Sequence, residues 1–265
     1  MQSAQKAPSD HATDKPSIEA LLSHRGAWLK GDTGDQDAAM QRATLTRMVA
    51  HNYRLFEEVR DRVFRATDAF MRHVEIIPET LSKDGHALVA EMLRQRMVIE
   101  EEHGHAICEV QGRRYMSGGW LEELSWLAAI ESGAEEAFYG QVIGWEVKGF
   151  HGENEIDLIM RRGSTLSFVS CKALRSELDM HDRKHRNRLM DAVHEADNLA
   201  DHFGRPGERV AVLVTTDLID ELKNAPRYNA LMGKAAILDV RLISLEELAF
   251  DKLVAAFQSM WEDKS

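Results

Sequence analysis

Cysteine is scarce. Cys108 and Cys171 are the only two in 265 residues, too few for a disulfide framework and in keeping with a reducing compartment, so the cytoplasm is the expected location. Long apolar runs are missing too. None approaches the roughly 18 residues that span a bilayer, so no membrane partner is expected. The opening "MQSAQKAPSDHATDKPS" lacks an apolar stretch of the secretory kind, and residues 1 to 17 read as a disordered leader. Net positive charge is absent: the formal balance of −11 argues against a general electrostatic grip on nucleic acid. The first third of the chain has neither a Gly-rich phosphate loop nor strand-like alternation.

What is present is an ordinary globular composition, 44% hydrophobic and 29% charged, in a chain long enough to bury a real core. Residues 18 to 30 and 36 to 73 read as helices, with Leu45, Met48, Val49, Leu55, Phe56 and Val59 recurring at three- and four-residue steps. "PETLSKDGHALVAEMLRQRM" reads as a turn and a helix, and "VIEEEHGHAICEVQGRRYMSGG" as a hairpin, together resembling a small winged-helix arrangement. The pattern changes after Gly118 and Gly119. From there the order is helix, three strands, helix, strand, helix, strand, helix, which implies an α/β fold with a mixed sheet flanked by helices. The division is a helical region over 18–116, winged-helix-like at its end, and a second domain over 117–265. No internal repeat is visible.

Chemistry concentrates in "NEIDLIMRRGSTLSFVSCKAL", residues 154 to 174. Alternation puts Glu155, Asp157 and Ile159 on one face of a strand, and Leu166, Phe168, Ser170 and Lys172 on one face of the next. A two-residue turn at Arg162-Gly163 would pair Arg161 with Ser164 and set 157 opposite 168, leaving Asp157, Ser170 and Lys172 on the same side. A charged pair beside buried strands must be paired, solvated or metal-bound. Two readings stand: a plain Asp–Lys ion pair across the strands, or a divalent-metal site with Asp157 as hard oxygen ligand and Lys172 orienting water and countering phosphate charge. A second acid is then needed, and Glu122 and Glu123 in "GGWLEELSW" offer it. They lie about 100° apart round a helix, and either can turn toward Asp157.

Taken in order, "GGWLEE", "NEIDLIM" and "LSFVSCK" resemble the motif series of the PD-(D/E)xK nuclease superfamily, above all the nuclease domain of CRISPR ancillary effectors that carry a cyclic-oligoadenylate-sensing CARF domain. The resemblance covers about residues 99 to 250. It implies a restriction-endonuclease-like fold and a metal-dependent endonuclease of antiviral defence, with Mg²⁺ or Mn²⁺ as cofactor, DNA ahead of RNA as substrate, and a homodimer. It implies Glu122 as the helix acid, Asp157 as principal metal ligand, Lys172 as catalytic lysine and the Cys171 carbonyl as a further ligand; Glu123 and Glu155 are the reserve acids. Two departures stand out. The pattern expects an acid two residues before the lysine, where this chain has Ser170. CARF domains are Rossmann-like and the helical first 98 residues are not, so the cyclic-oligoadenylate sensor is absent here or supplied by another chain.

Downstream of Lys172 the chain turns basic, and Arg175, Arg183 and Arg186 are the candidate contacts to a nucleic-acid backbone. The rival to an enzyme is the same fold with a weakened metal site, holding nucleic acid or a partner without cutting; Ser170 is the residue that favours it. A scaffold built on helices 18 to 73 is a further rival. Other groupings carry less. His103, His105 and Cys108 match no complete zinc set, and His181 with His185 lacks a neighbouring Glu base. Trp145 and Phe150 read as core. Cys171 has no histidine–acid partnership for thiol catalysis.

Overall fold

The computed structural model describes residues 15–68, 82–101, 104–107 and 110–262. Most of the leader, and His103 and Cys108 of the candidate zinc grouping, lie outside the described residues.

Ser17 caps α1 (Ile18–Ser23) by accepting from the Ala20 N–H, and Ile18 and Leu22 are buried. The chain then extends instead of continuing as a helix. β1 (Ala27–Lys30) pairs antiparallel with β4 (Glu136–Val147), Ala27 opposite Trp145 and Lys30 opposite Val142. A single helix over 18 to 30 is therefore incorrect. Four residues are too few to show a period by themselves, and only Ala27 is buried among them. The helix expected over 36 to 73 is divided at Asn52 into α2 (Gln36–His51), capped by Asp35, and α3 (Tyr53–Asp68). α4 (Lys83–Arg94) and the hairpin of β2 (Val98–Glu101) with β3 (Gly104–Ile107) fall where the sequence puts them.

α5 (Gln111–Arg114) runs through a π-helical turn over 115–119 into α6 (Trp120–Glu131). After β4 come β5 (Phe150–Arg162), β6 (Thr165–Lys172), α7 (Arg183–Phe203) and β7 (Arg209–Val214). A two-stranded ribbon of β8 (Ile219–Asp220) and β9 (Ala225–Pro226), α8 (Asn229–Ile237), β10 (Val240–Ile243) and α9 (Phe250–Ser259) complete the chain. The main sheet has six strands in the order β1-β4-β5-β6-β7-β10. Its first four are antiparallel, whereas β7 runs parallel to both β6 and β10. It is a mixed sheet, flanked by helices on both faces.

Alternation along the central strands sorts their side chains into two cores. Leu158, Met160, Val169, Ala211, Leu213 and Ile243 face α2, α3, α4, α6 and α9. Ile159, Leu166, Phe168, Val210 and Val212 face α1, α7 and α8. Trp120 of α6 is stacked on Tyr53, with ring centroids 5.3 Å apart, and meets Phe56 edge-on. Core packing thus crosses residue 116 without a gap.

Candidate active site

The register of the β5–β6 hairpin differs from the expected one by two residues. Arg162 pairs with Thr165 and Leu158 with Val169, so the loop is Gly163-Ser164 and Asp157 comes opposite Ser170. Gly163 alone of the two has positive φ, at 61°, the pattern of a type II′ hairpin with glycine first. A shift of two keeps every side chain on its side of the sheet; a shift of one would not. Ser170 and Lys172 accordingly lie on the α7 side with Phe168, and Lys172 is the last residue of β6.

Asp157 breaks the alternation expected of its strand. Ile156 and Ile159 both pack in the α7-side core, whereas Leu158 faces α6. The break has a partner on β4. Tyr139 pairs with Leu158 and Gln141 with Ile156, and between them Gly140, at φ 57°, faces Asp157. The β5–β6 ladder stops at the same level. There the Asp157 carboxylate takes over as acceptor: its Oδ2 receives the Cys171 N–H at 2.6 Å and the Ser170 hydroxyl at 3.2 Å. A side chain here occupies the line of separation between two strands. It is felt from both faces.

Of the two helix acids, Glu122 is the one turned to Asp157. A Cβ on Gly140 would stand 3.3 Å from Glu122 Oε2, so the absent side chain leaves room beside that carboxylate. Burial, and next the charge of Asp157, push the Glu122 carboxyl up to about 7. Burial also raises Asp157, against the pull of the Cys171 N–H, Lys172 and Ser170. Glu123 is buried and held by both ends of its carboxylate, at 2.6 and 3.2 Å from Arg42. Glu155 is exposed, and its charge adds to the potential at both acids.

Lys172 has a partner that sequence reasoning missed. Glu195, on α7, lies 2.8 Å from Lys172 Nζ. Burial works to lower the lysine, but the hydrogen bond to Glu195 and the charge of Asp157 outweigh it, and the pKa is raised. Nothing near Lys172 in the chain announces Glu195; only the packing of α7 on β6 brings it there. The Cys171 thiol turns to the other face, near the Leu121 carbonyl, and burial pushes it well above its ordinary value, against a thiolate nucleophile.

A cation fits the donor set. Asp157, Glu122 and the Cys171 carbonyl are hard oxygens of the kind Mg²⁺ and Mn²⁺ prefer. Among the described residues no three His, Cys, Asp or Glu side chains are grouped closely enough to hold a metal by themselves, so backbone and water must complete the shell.

Beyond β6 the chain enters a cleft of about 450 Å³ between α3 and α7, lined by Arg60, Phe64, Arg175, Lys184 and Arg188 among others. Arg60 is occupied by Asp61 and the Tyr53 hydroxyl. Arg175 is exposed in the cleft, whereas Arg183 and Arg186 stand outside it. The helical repeat instead places Lys184 and Arg188, four apart, on the lining. α7 begins at Arg183, where Asp182 caps it by accepting from the Lys184 and His185 N–H groups. His181 therefore precedes the helix and His185 is buried, 3.1 Å from the Thr216 hydroxyl, so they form no helical pair. Phe150 is another correction. At 75% exposure it is not core, while Trp145 lies half-buried over Gly152.

Two solved structures share this architecture. Protein VC1899 from Vibrio cholerae superposes with a TM-score of 0.65 at 17% identity, over 93% of this chain and 62% of its own. Can2 from Sulfobacillus thermosulfidooxidans, solved in complex with cyclic tetra-adenylate, gives 0.58 at 12% identity, over 91% of this chain and 61% of its own. The likeness is one of fold. It includes the helical N-terminal part, and the chain spans about three fifths of either protein. No family model and no curated relative matches the sequence. No helix among the described residues is long and apolar enough to cross a membrane.

Proposed function

We propose that the chain is a divalent-metal-dependent endonuclease that hydrolyses phosphodiester bonds, acting in prokaryotic defence. What supports this reading is that Asp157, where β5 separates from β6, is near enough to both Glu122 of α6 and Lys172 of β6 for their charges to act on one another, although the three are remote in sequence. The sequence resemblance to the nuclease domain of CARF-carrying CRISPR effectors supports this reading, as does the fold shared with a protein solved with cyclic tetra-adenylate.

Asp157, Glu122 and the Cys171 carbonyl hold Mg²⁺ or Mn²⁺, which when bound supplies charge against the phosphate and lowers the pKa of its water. Lys172, held by Glu195, presents an ammonium at the edge of the same site and orients the attacking water. Ser170 fixes the Asp157 carboxylate by donating to it, but brings no charge of its own. Arg175, Lys184 and Arg188 hold the nucleic-acid backbone by phosphate contacts, which position a strand without reading its bases. DNA is the preferred substrate. The rival, binding without cutting, draws on Ser170 and on the lack, among the described residues, of a third clustered acid.

Plasmid, single-stranded DNA and RNA, incubated with the protein in Mg²⁺ or Mn²⁺, separate the two. Metal-dependent cutting that disappears in both Asp157→Ala and Lys172→Ala supports the enzyme. Binding with no cutting in any metal supports the rival. Ser170→Glu should lower the metal concentration at which cutting is half-maximal.

A further inference from the structure

Most buried or half-buried arginines near the site are committed. Arg42 is taken by Glu123, Arg60 by Asp61, and Arg161 by Glu135 and Glu136. Arg114 is not. Among the described residues its side chain has no hydrogen bond or ion pair, although acids stand close by. It is the last residue of α5, and the π-helical turn over 115–119 begins directly after it. Its guanidinium lines a cavity of about 230 Å³ together with Glu122, Arg42 and Tyr139. The site it overlooks is the candidate one. A Cβ on Gly140 would lie 3.9 Å from Arg114 Nη2 and 3.3 Å from Glu122 Oε2, and Gly140 faces Asp157 across the β4–β5 ladder.

An exposed, unpaired guanidinium beside the Glu122 carboxylate has one evident use. A guanidinium stays charged at any working pH, and its planar fork matches two oxygens of a phosphate. We propose that Arg114 is a substrate-binding residue that grips the non-bridging oxygens of the phosphodiester held at Glu122 and Asp157. This rests on reading those two acids as the cation site. It approaches from the α6 side of the sheet, whereas Lys184 and Arg188 lie on α7 and Arg175 in the segment leading to it, so the phosphodiester is held from both sides.

The test reads two ligands separately. Binding of a fluorescein-labelled 20-nucleotide DNA in EDTA is followed by anisotropy across a salt series. Binding of Mn²⁺ alone is followed by calorimetry. Arg114→Ala should weaken DNA binding on the order of tenfold, the loss of one charge-assisted contact, and reduce the salt slope by about 1. The same variant should bind Mn²⁺ at least as tightly as wild type, because one positive charge near the incoming cation has gone. Arg114→Lys should keep the salt slope and lose much of the affinity; it also carries the test should the alanine variant fold poorly. Opposite movement of the two affinities marks a substrate contact. Weaker Mn²⁺ binding in Arg114→Ala would mean that Arg114 merely holds the acids in place, and an unchanged salt slope that it touches no phosphate; either result overturns the proposal. If wild type binds neither Mn²⁺ nor DNA, the cation site itself is wrong and Arg114 falls with it.

Discussion

Bringing Glu122 and Asp157 together out of water costs stability, and the cost has a sign that can be measured. The folded-state pKa of Glu122 is raised to about 7 by burial and by Asp157. A carboxyl raised in this way favours folding while it is protonated. Its contribution is present below the unfolded value near 4.5 and is lost as pH rises through about 7. In metal-free protein at pH 8, Glu122→Gln should therefore raise stability, by on the order of 2 kcal/mol. The advantage should shrink at pH 5, where the wild-type carboxyl is largely protonated. Melting curves of the two proteins in EDTA at both pH values check this; equal melting temperatures at pH 8 would show that Glu122 is solvated and far from Asp157. Glu122, Asp157 and Lys172 could be proposed from sequence because each lies in a short motif with its own local spacing. Glu195 and Arg114 were not. Their roles arise from how α7 and α5 lean on the sheet, which no nearby spacing encodes. Helix spacing alone left Glu122 and Glu123 open and only the resemblance named Glu122; the physical reason, Arg42 of α2 arriving to take Glu123, was hidden.

At the scale of elements, the decisive feature is the interrupted pairing at Gly140 and Asp157. A regular strand pair would send Asp157 to the α7 side and leave Glu122 facing a closed sheet. Gly140 permits otherwise, for its φ of 57° is cheap only for glycine and its missing side chain leaves room beside Glu122 Oε2. Gly140→Ala should thus destabilise the fold by about 1–2 kcal/mol through the left-handed backbone. It should also displace the Glu122 carboxylate, so that Mn²⁺ binding by calorimetry weakens more than the loss of stability explains. Gly163→Ala, strained likewise at φ 61° but with nothing within 4 Å of its Cβ, is the control: it should lower the melting temperature and leave Mn²⁺ affinity alone. Equal Mn²⁺ affinities in both variants would remove Gly140 from the site. Element order from residue 118 onward was readable apart from the two-residue strands β8 and β9, because the other elements there are strongly patterned and set off by turn residues. The hairpin register was misread by two because a glycine serves either position of a two-residue turn, and β1 was missed because it is short.

For the whole molecule, the sharp change of pattern at residue 116 suggests two domains, yet the packing joins both parts. Leu45, Val49, Tyr53, Phe56, Val59, Val63, Leu88, Met92 and Met97 are all buried, and they share one core with α6, α9 and one face of the sheet. Burying a large apolar side chain contributes roughly 1.5–3 kcal/mol, so those nine together contribute at least as much as the ~5–15 kcal/mol net stability of most domains. A fragment of residues 117–265 would also lose β1 from the edge of the sheet and leave Trp120 without Tyr53 and Phe56. It should bind a hydrophobic dye, keep some helical circular dichroism and show no cooperative melt, while the full chain melts sharply. A cooperative transition in the fragment, near that of the full chain, would restore an independent second domain. The same packing bears on the chemistry. α3 forms one wall of the basic cleft, through Arg60 and Phe64, and α2 supplies the Arg42 that frees Glu122 for Asp157 by occupying Glu123. The helical half therefore shapes both the acids and the cleft, and Arg42→Ala, 81 residues upstream of its partner, should impair Mn²⁺ binding by releasing a second buried carboxylate to compete with the first.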